Sequence, residues 1–186
     1  MSKLETNTID TVSGTTNLII GSTNSSTVTF ENGAPTGHMY PAFEAYLSST
    51  QSLSDASFTK IQFDTEVFDT DNCYDNSTNY RFTPTVAGKY LVYGKIRLQS
   101  GADTQLKTSS VAIYKNGSAY SKSQALFWNS YIRMHSPTTA YVIDMNGTSD
   151  YLELFGYIDV TSGTPDGAIG TATDRETNFG AYRIGA

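Results

Sequence analysis

The residues able to carry chemistry in this chain are few, and their spacing is not that of a catalytic centre. There are two histidines, His38 and His135, and a single cysteine, Cys73. Neither histidine belongs to an HExxH, HxH or other ligand-spaced pattern. The sequence has no Gly-x-Ser-x-Gly elbow and no phosphate-binding loop. Cys73 lies between Asp71 and Asp75, whose like charge disfavours a thiolate. Without a second cysteine it has no internal disulfide partner. The 18 acidic residues single out no carboxylate pair for glycoside hydrolysis. No enzymatic activity is expected.

Two stretches are candidates for binding. Asp69-Thr70-Asp71-Asn72-Cys73-Tyr74-Asp75 carries carboxylates at the first, third and seventh positions of a calcium-like loop, where hard oxygen ligands would suit the ion. Cys73 stands where a fifth-position Asp or Asn belongs, and the glycine and distal glutamate are missing. A solvated turn without a resident cofactor is therefore expected, with calcium as the alternative. The second stretch, Leu126 to Ile132, gathers Phe127, Trp128 and Tyr131 around the sole tryptophan. Such a run is either a core or subunit-interface strand, or a stacking platform for sugars, because aromatic rings offer an amphipathic face to carbohydrate. Phe127, Trp128 and Tyr131 are the candidate receptor-binding residues.

Composition narrows the partners. The chain has 186 residues, a net charge of −6 and no cluster of Lys or Arg, so nucleic acid is not expected as a partner. No apolar run approaches the roughly 20 residues needed to cross a bilayer as a helix, and MSKLETNTID lacks the apolar core of a signal peptide. Asn76-Ser77-Thr78 and Asn146-Gly147-Thr148 read as turns rather than glycan acceptors. Frequent Ser, Thr, Tyr and Gly, with 13 tyrosines and 9 phenylalanines to bury, favour an all-β fold.

The elements that must position these residues are strands. Phe43, Ala45 and Leu47 alternate against Ala42, Glu44 and Tyr46. Ile61, Phe63 and Thr65 alternate again, and Tyr90, Val92, Gly94, Ile96 and Leu98 would share one face of a long strand. Tyr74 to Tyr93 reads as strand, turn, strand. Tyr80 and Phe82 are set apart from Tyr90 by Pro84 and Gly88, the pattern expected of two adjoining antiparallel strands. Ser110 to Gly117 ends in Asn116-Gly117, a strong hairpin signal. Further strands are expected over Thr139–Gly147, Asp150–Tyr157 and Thr177–Ile184. Polar loops are expected over Ser48–Ser57, Gly101–Gln105 and Ser162–Glu176. Residues 1–40 differ. Short apolar runs at Ile9–Val12, Leu18–Ile20 and Val28–Phe30 alternate with polar turns and are too short for a stable isolated sheet. They read as an arm or stem, with the main domain spanning 41–186.

Tyr74-Asp75, Phe82-Thr83-Pro84 and Gly88-Lys89-Tyr90 resemble the signature of the C1q/TNF-like family. Lys115-Asn116-Gly117 and the terminal Phe179-Gly180-Ala181-Tyr182 follow in the order that family shows. The resemblance implies an all-β jelly-roll β-sandwich of about eight to ten strands, with a short N-terminal β-rich arm. It also implies a homotrimer packed about a threefold axis through one aromatic-rich sheet, with Tyr80, Phe82, Tyr90 and Phe179 as core and trimer-packing residues. Thr8-Ile9-Asp10-Thr11-Val12-Ser13-Gly14-Thr15 resembles the opening of small bacteriophage tail-fibre-like proteins. Together the two resemblances imply a non-enzymatic virion protein assembled in a bacterial cytoplasm. Residues 1–40 would contact other virion proteins, and the knob would recognise a host-surface glycan or protein. A capsid decoration protein without a receptor is the alternative, and a soluble C1q-like lectin the third.

Overall fold

A computed structural model describes residues 41–185 of the chain. The arm expected over residues 1–40 lies outside the described residues. In chain order the strands are β1 (Ala42–Tyr46), β2 (Ser57–Lys60), β3 (Thr65–Asp69), β4 (Tyr74–Asp75), β5 (Arg81–Phe82), β6 (Gly88–Lys95) and β7 (Leu98–Ser100). They continue as β8 (Leu106–Lys115), β9 (Ser118–Leu126), β10 (Met134–His135), β11 (Thr138–Met145), β12 (Leu152–Val160), β13 (Pro165–Ala168) and β14 (Asn178–Gly185). No helix occurs among the described residues.

Two antiparallel sheets face one another. The first has the order β11-β6-β14-β1-β3, and the second β4-β5-β12-β8-β9 with β2 also paired to β12. A small third sheet, β10-β7-β13, closes one end. Consecutive strands mostly sit in different sheets, the connectivity of a jelly roll rather than of a meander.

The two-residue period decides the core. On β6, Tyr90 and Val92 point inward and are fully buried, and on β1 and β14 the same is true of Phe43, Ala45 and Phe179. Phe43 is stacked on Tyr74 at 4.6 Å and on Phe82 at 4.5 Å, and meets Phe179 edge-on at 5.0 Å. Because Phe43 and Phe179 belong to the first sheet and Tyr74 and Phe82 to the second, this cluster joins the two layers. The Asn116-Gly117 turn forms as its sequence predicts. Both residues have positive φ, 53° and 76°, as a type I′ turn requires.

Several expectations are corrected. Phe82 and Tyr90 do not sit on adjoining strands, because β5 belongs to the second sheet and β6 to the first. The Thr83–Ala87 link crosses the sandwich; Thr83 N–H donates to the Cys73 carbonyl at 2.7 Å, and Pro84 has no N–H to extend a ladder. The long strand over 90–98 breaks after Lys95. The Ile96 and Arg97 N–H groups donate to the Pro137 carbonyl and to Thr177 Oγ1, so Leu98 enters the small third sheet. Ile61 and Phe63 are fully buried without being in a strand. The loop expected over Ser162–Glu176 contains β13, whose Gly167 and Ala168 pair with Gln99 and Leu98.

Phe43 supplies the contact between layers, so Phe43→Ala should lower unfolding stability by about 3–5 kcal/mol. Urea denaturation of the purified chain measures this. A loss below about 1 kcal/mol would show that the cluster does not hold the sheets together.

Candidate functional site

Two of the three carboxylates in the calcium-like loop bond backbone N–H groups, while Asp69 Oδ1 is buried without a hydrogen-bond partner. Asp69 Oδ2 accepts from Tyr74 N–H at 2.8 Å. Asp75 Oδ1 accepts from Ser77 and Thr78 N–H at 3.1 and 2.9 Å, and its Oδ2 from Asn79 N–H at 3.0 Å and the Asn79 amide at 2.7 Å. These donors, the Thr78 N–H foremost, hold the Asp75 carboxyl well below the usual carboxylate range. The loop is therefore built as a turn in which Asp75 caps three consecutive N–H groups. Among the described residues, no group of three His, Cys, Asp or Glu side chains converges as a metal site.

Cys73 is buried, with Sγ 3.6 Å from the Asp71 carbonyl, and burial pushes its thiol above the ordinary value. That favours the unreactive form. His135 Nδ1 lies 2.8 Å from Ser109 Oγ, and burial lowers the histidine's affinity for a proton. Ser109 is fully buried, so this pair offers no accessible nucleophile. His38 lies outside the described residues.

The aromatic run divides. Phe127 packs against the core and meets His135 edge-on at 5.2 Å. Its half-buried ring anchors the segment. Trp128, by contrast, is 77% exposed. The backbone explains the division. Phe127 N–H donates to the Lys107 carbonyl at 2.9 Å, ending the β8–β9 ladder. Asn129 then takes a positive φ of 62°, and the chain returns so that Leu106 and Ile132 form a bridge. This short excursion holds Trp128 and Tyr131 beside a hollow of about 250 Å³, which they line with Leu126, Lys107, Thr108 and Asp159. Lys107 Nζ and Asp159 Oδ2 form an ion pair at 2.9 Å on its wall. Sequence reasoning missed Lys107, Thr108 and Asp159. Only the pairing of Asp159 with Thr108, and of Thr108 with Leu126, brings them to the aromatic run.

Phe82, Tyr90 and Phe179 are fully buried within one chain, which leaves none of their surface for a neighbouring subunit. Tyr90 donates its hydroxyl to the Val86 carbonyl at 2.7 Å, and burial pushes its pKa up to about 12. Tyr80 is half-buried with φ 50° and lies beside a shallow cleft with Leu47 and Gln62, outside the core.

The outward face of the first sheet is apolar over its centre. Strand register aligns Val142, Leu91 and Tyr182 in one row, and Ala140, Tyr93, Gly180, Glu44 and Phe68 in the next. Tyr93 lies across Gly180, where an added Cβ would stand 2.4 Å from the ring, and donates its hydroxyl to Glu44 Oε2 at 2.7 Å. Burial and this hydrogen bond keep the Tyr93 phenol protonated well above its ordinary range. Glycine at 180 is what allows the ring to lie flat on the sheet.

These two layers and their connectivity define an all-β jelly-roll sandwich. No protein-family model and no curated protein matches the chain. Among solved structures, it is similar to Eiger TNF from S. frugiperda, at 12% identity and a TM-score of 0.53, over 78% of this chain and 93% of that one. Murine APRIL matches at 13% identity and 0.51, over 77% of this chain and 99% of that one. The globular domain of zebrafish complement 1qA matches at 12% and 0.49, over 76% and 93%. At such identities the likeness to the first two establishes the fold and nothing further. The jelly roll expected from the sequence is thus the observed fold.

The Asp75 turn carries a pH signature. A depressed folded-state pKa stabilises the fold above the unfolded value of 3.8, and this contribution is lost as pH falls through the lower folded value. Asp75→Ala should lower the melting temperature by a few degrees at pH 7, with the gap from the parent narrowing steadily below about pH 4. Scanning calorimetry across pH tests this, and a gap independent of pH would refute it.

Proposed function

We propose that this chain is a non-enzymatic homotrimeric virion protein, a bacteriophage fibre knob fixed to the particle by residues 1–40 and recognising a host-surface receptor. The observation that carries the trimer is the outward face of the first sheet. Leu91, Tyr93 and Tyr182 lie at its centre, with Val142, Phe68 and Ile184 exposed around them at 46%, 44% and 49%. Glu44, the carboxylate in that patch, is already bonded to Tyr93. A contiguous apolar face with its half-buried acceptor satisfied suits association with copies of itself. The family resemblance, which implies a threefold axis through an aromatic-rich sheet, supports the same reading.

The resemblance of Thr8–Thr15 to tail-fibre openings supports attachment to a virion. The free Cys73 accords with assembly in a reducing bacterial cytoplasm. Receptor recognition falls to the hollow at Trp128 and Tyr131, which lies on the other sheet and so stays open when three chains join. Three copies make weak contacts sufficient. Sites of about 1 mM, each worth about −4 kcal/mol, become effectively intramolecular after the first engages.

Light scattering on the full chain at micromolar concentration should give three times the 20.2 kDa chain mass. Leu91→Arg combined with Tyr182→Arg should reduce it to the single-chain mass while circular dichroism remains that of a β-sandwich. A parent protein that is monomeric would remove the trimer. A trimer that fails to adsorb to the bacterial host, yet binds assembled capsids, would convert the reading to a decoration protein.

A further inference from the structure

The strand pairing around Trp128 contains a bulge. β12 pairs with β8 from Leu152 opposite Lys115 to Asp159 opposite Thr108, and Val160 then stands opposite Leu106. Lys107 is the extra residue, without a register partner on β12. An extra residue bends its strand and re-aims a side chain. Here Lys107 Nζ reaches Asp159 Oδ2 at 2.9 Å, although Thr108 and not Lys107 stands opposite Asp159. The bulge thus sets an ion pair on the wall of the hollow that the exposed Trp128 also lines.

The hollow is small and stands by itself. It measures about 250 Å³, below the roughly 300 Å³ at which ligand pockets begin, so it holds one ring and no folded peptide segment. Nothing extends it along β8, because Thr108 is 5% exposed and Ser110 and Ala112 are buried outright. Trp128, Tyr131 and Leu126 supply apolar surface, and Lys107, Asp159 and Thr108 supply polar groups. The charge of the wall is balanced, since the Lys107 ammonium already faces the Asp159 carboxylate. The net charge of −6 on the whole chain adds no attraction for an anion.

We propose that this hollow binds the terminal ring of an uncharged glycan, with a C–H face on Trp128 and two adjacent hydroxyls on the Lys107–Asp159 pair. This assignment rests on the receptor-binding reading above and gives the receptor its chemical class. The C–H faces of pyranose rings match exposed aromatic faces. An ammonium only donates and a carboxylate only accepts, whereas a hydroxyl does both. One hydroxyl accepts from Lys107 while its neighbour donates to Asp159, which a vicinal diol allows. A terminal ring needs room on one side only, in keeping with the closed surface over Ser110 and Ala112.

Trp128, as the sole tryptophan, makes emission a direct reporter of the hollow. The full-length protein would be titrated with the methyl glycosides of glucose, galactose, mannose and N-acetylglucosamine, and with phenol and glucuronate for comparison. At least one neutral glycoside should shift the emission saturably, with a Kd of about 1 mM. Its linear dimer and trimer should bind within about threefold of the single ring, and its permethylated form, which has no O–H donor, should not bind. By calorimetry, Trp128→Ala should weaken binding about tenfold or more. That side chain is exposed, so the variant keeps the core. Asp159→Asn leaves Lys107 uncompensated, and should weaken the neutral glycoside while tightening glucuronate. No emission shift and no heat with any glycoside up to about 50 mM overturns the proposal. So does phenol or glucuronate binding the parent as tightly as the best glycoside, or full binding by Trp128→Ala. Adsorption to host cells, before and after periodate cleavage of their vicinal diols, separates the two readings. Adsorption unchanged by periodate and by Trp128→Ala would leave the fibre knob standing and remove the sugar site. Glycoside binding by a chain that adsorbs to no host would keep the sugar site and remove the knob.

Discussion

Phe43 is the contact through which the two sheets close. Its ring lies almost parallel to that of Tyr74, with only 6° between the planes, and also stacks on Phe82. Phe179 completes the cluster from β14, the neighbour of β1 in the first sheet. Four aromatic rings from four strands in two layers remove a large apolar area from water at one point. The layers are thereby set in register with one another. With the inner faces committed, the period of two leaves each sheet a second face, and those outer faces carry the functional possibilities.

The two outer faces are built differently. On the first sheet, Tyr93 lies flat over Gly180 and satisfies Glu44, giving a broad apolar surface with little relief. A face of that kind suits another flat protein surface. On the second sheet, the exposed Trp128 stands with Tyr131 beside a hollow that has an ion pair on its wall. A hollow of that kind suits a small ligand group. The two sheets of one sandwich thus differ in the surface each offers.

The turns show how polar groups support this division. Asp75 uses both oxygens to cap its own loop, and Asn146 Oδ1 accepts from three successive N–H groups at Thr148, Ser149 and Asp150. Asp150 in turn bonds Asn116 and pairs with Lys115, clipping the β11–β12 turn to the β8–β9 hairpin. Asp75, which looks like a ligand in the sequence, is here an acceptor for the N–H groups of its own turn, the usual role of Asp in such turns.

Local pattern determined much of this protein. The alternation of Phe43, Ala45 and Leu47 and of Tyr90 and Val92 named core residues correctly, since facing is a property of neighbouring residues along one strand. The Asn116-Gly117 turn was equally legible, since positive φ at two positions is a demand on two residues alone. What the sequence did not determine was which strands meet. Phe82 and Tyr90 read as parts of one hairpin, but a Pro/Gly break looks the same whether the chain folds back or crosses to the opposite sheet. The aromatic run from Leu126 to Tyr131 showed no sign that Phe127 would turn inward and Trp128 outward. That depends on the Leu106–Ile132 bridge. Asp159 joined Lys107 and Trp128 only through the pairing of β12 with β8. Side-chain direction is local and written in the chain, whereas strand partnership is a choice among distant segments that only the closed sandwich makes.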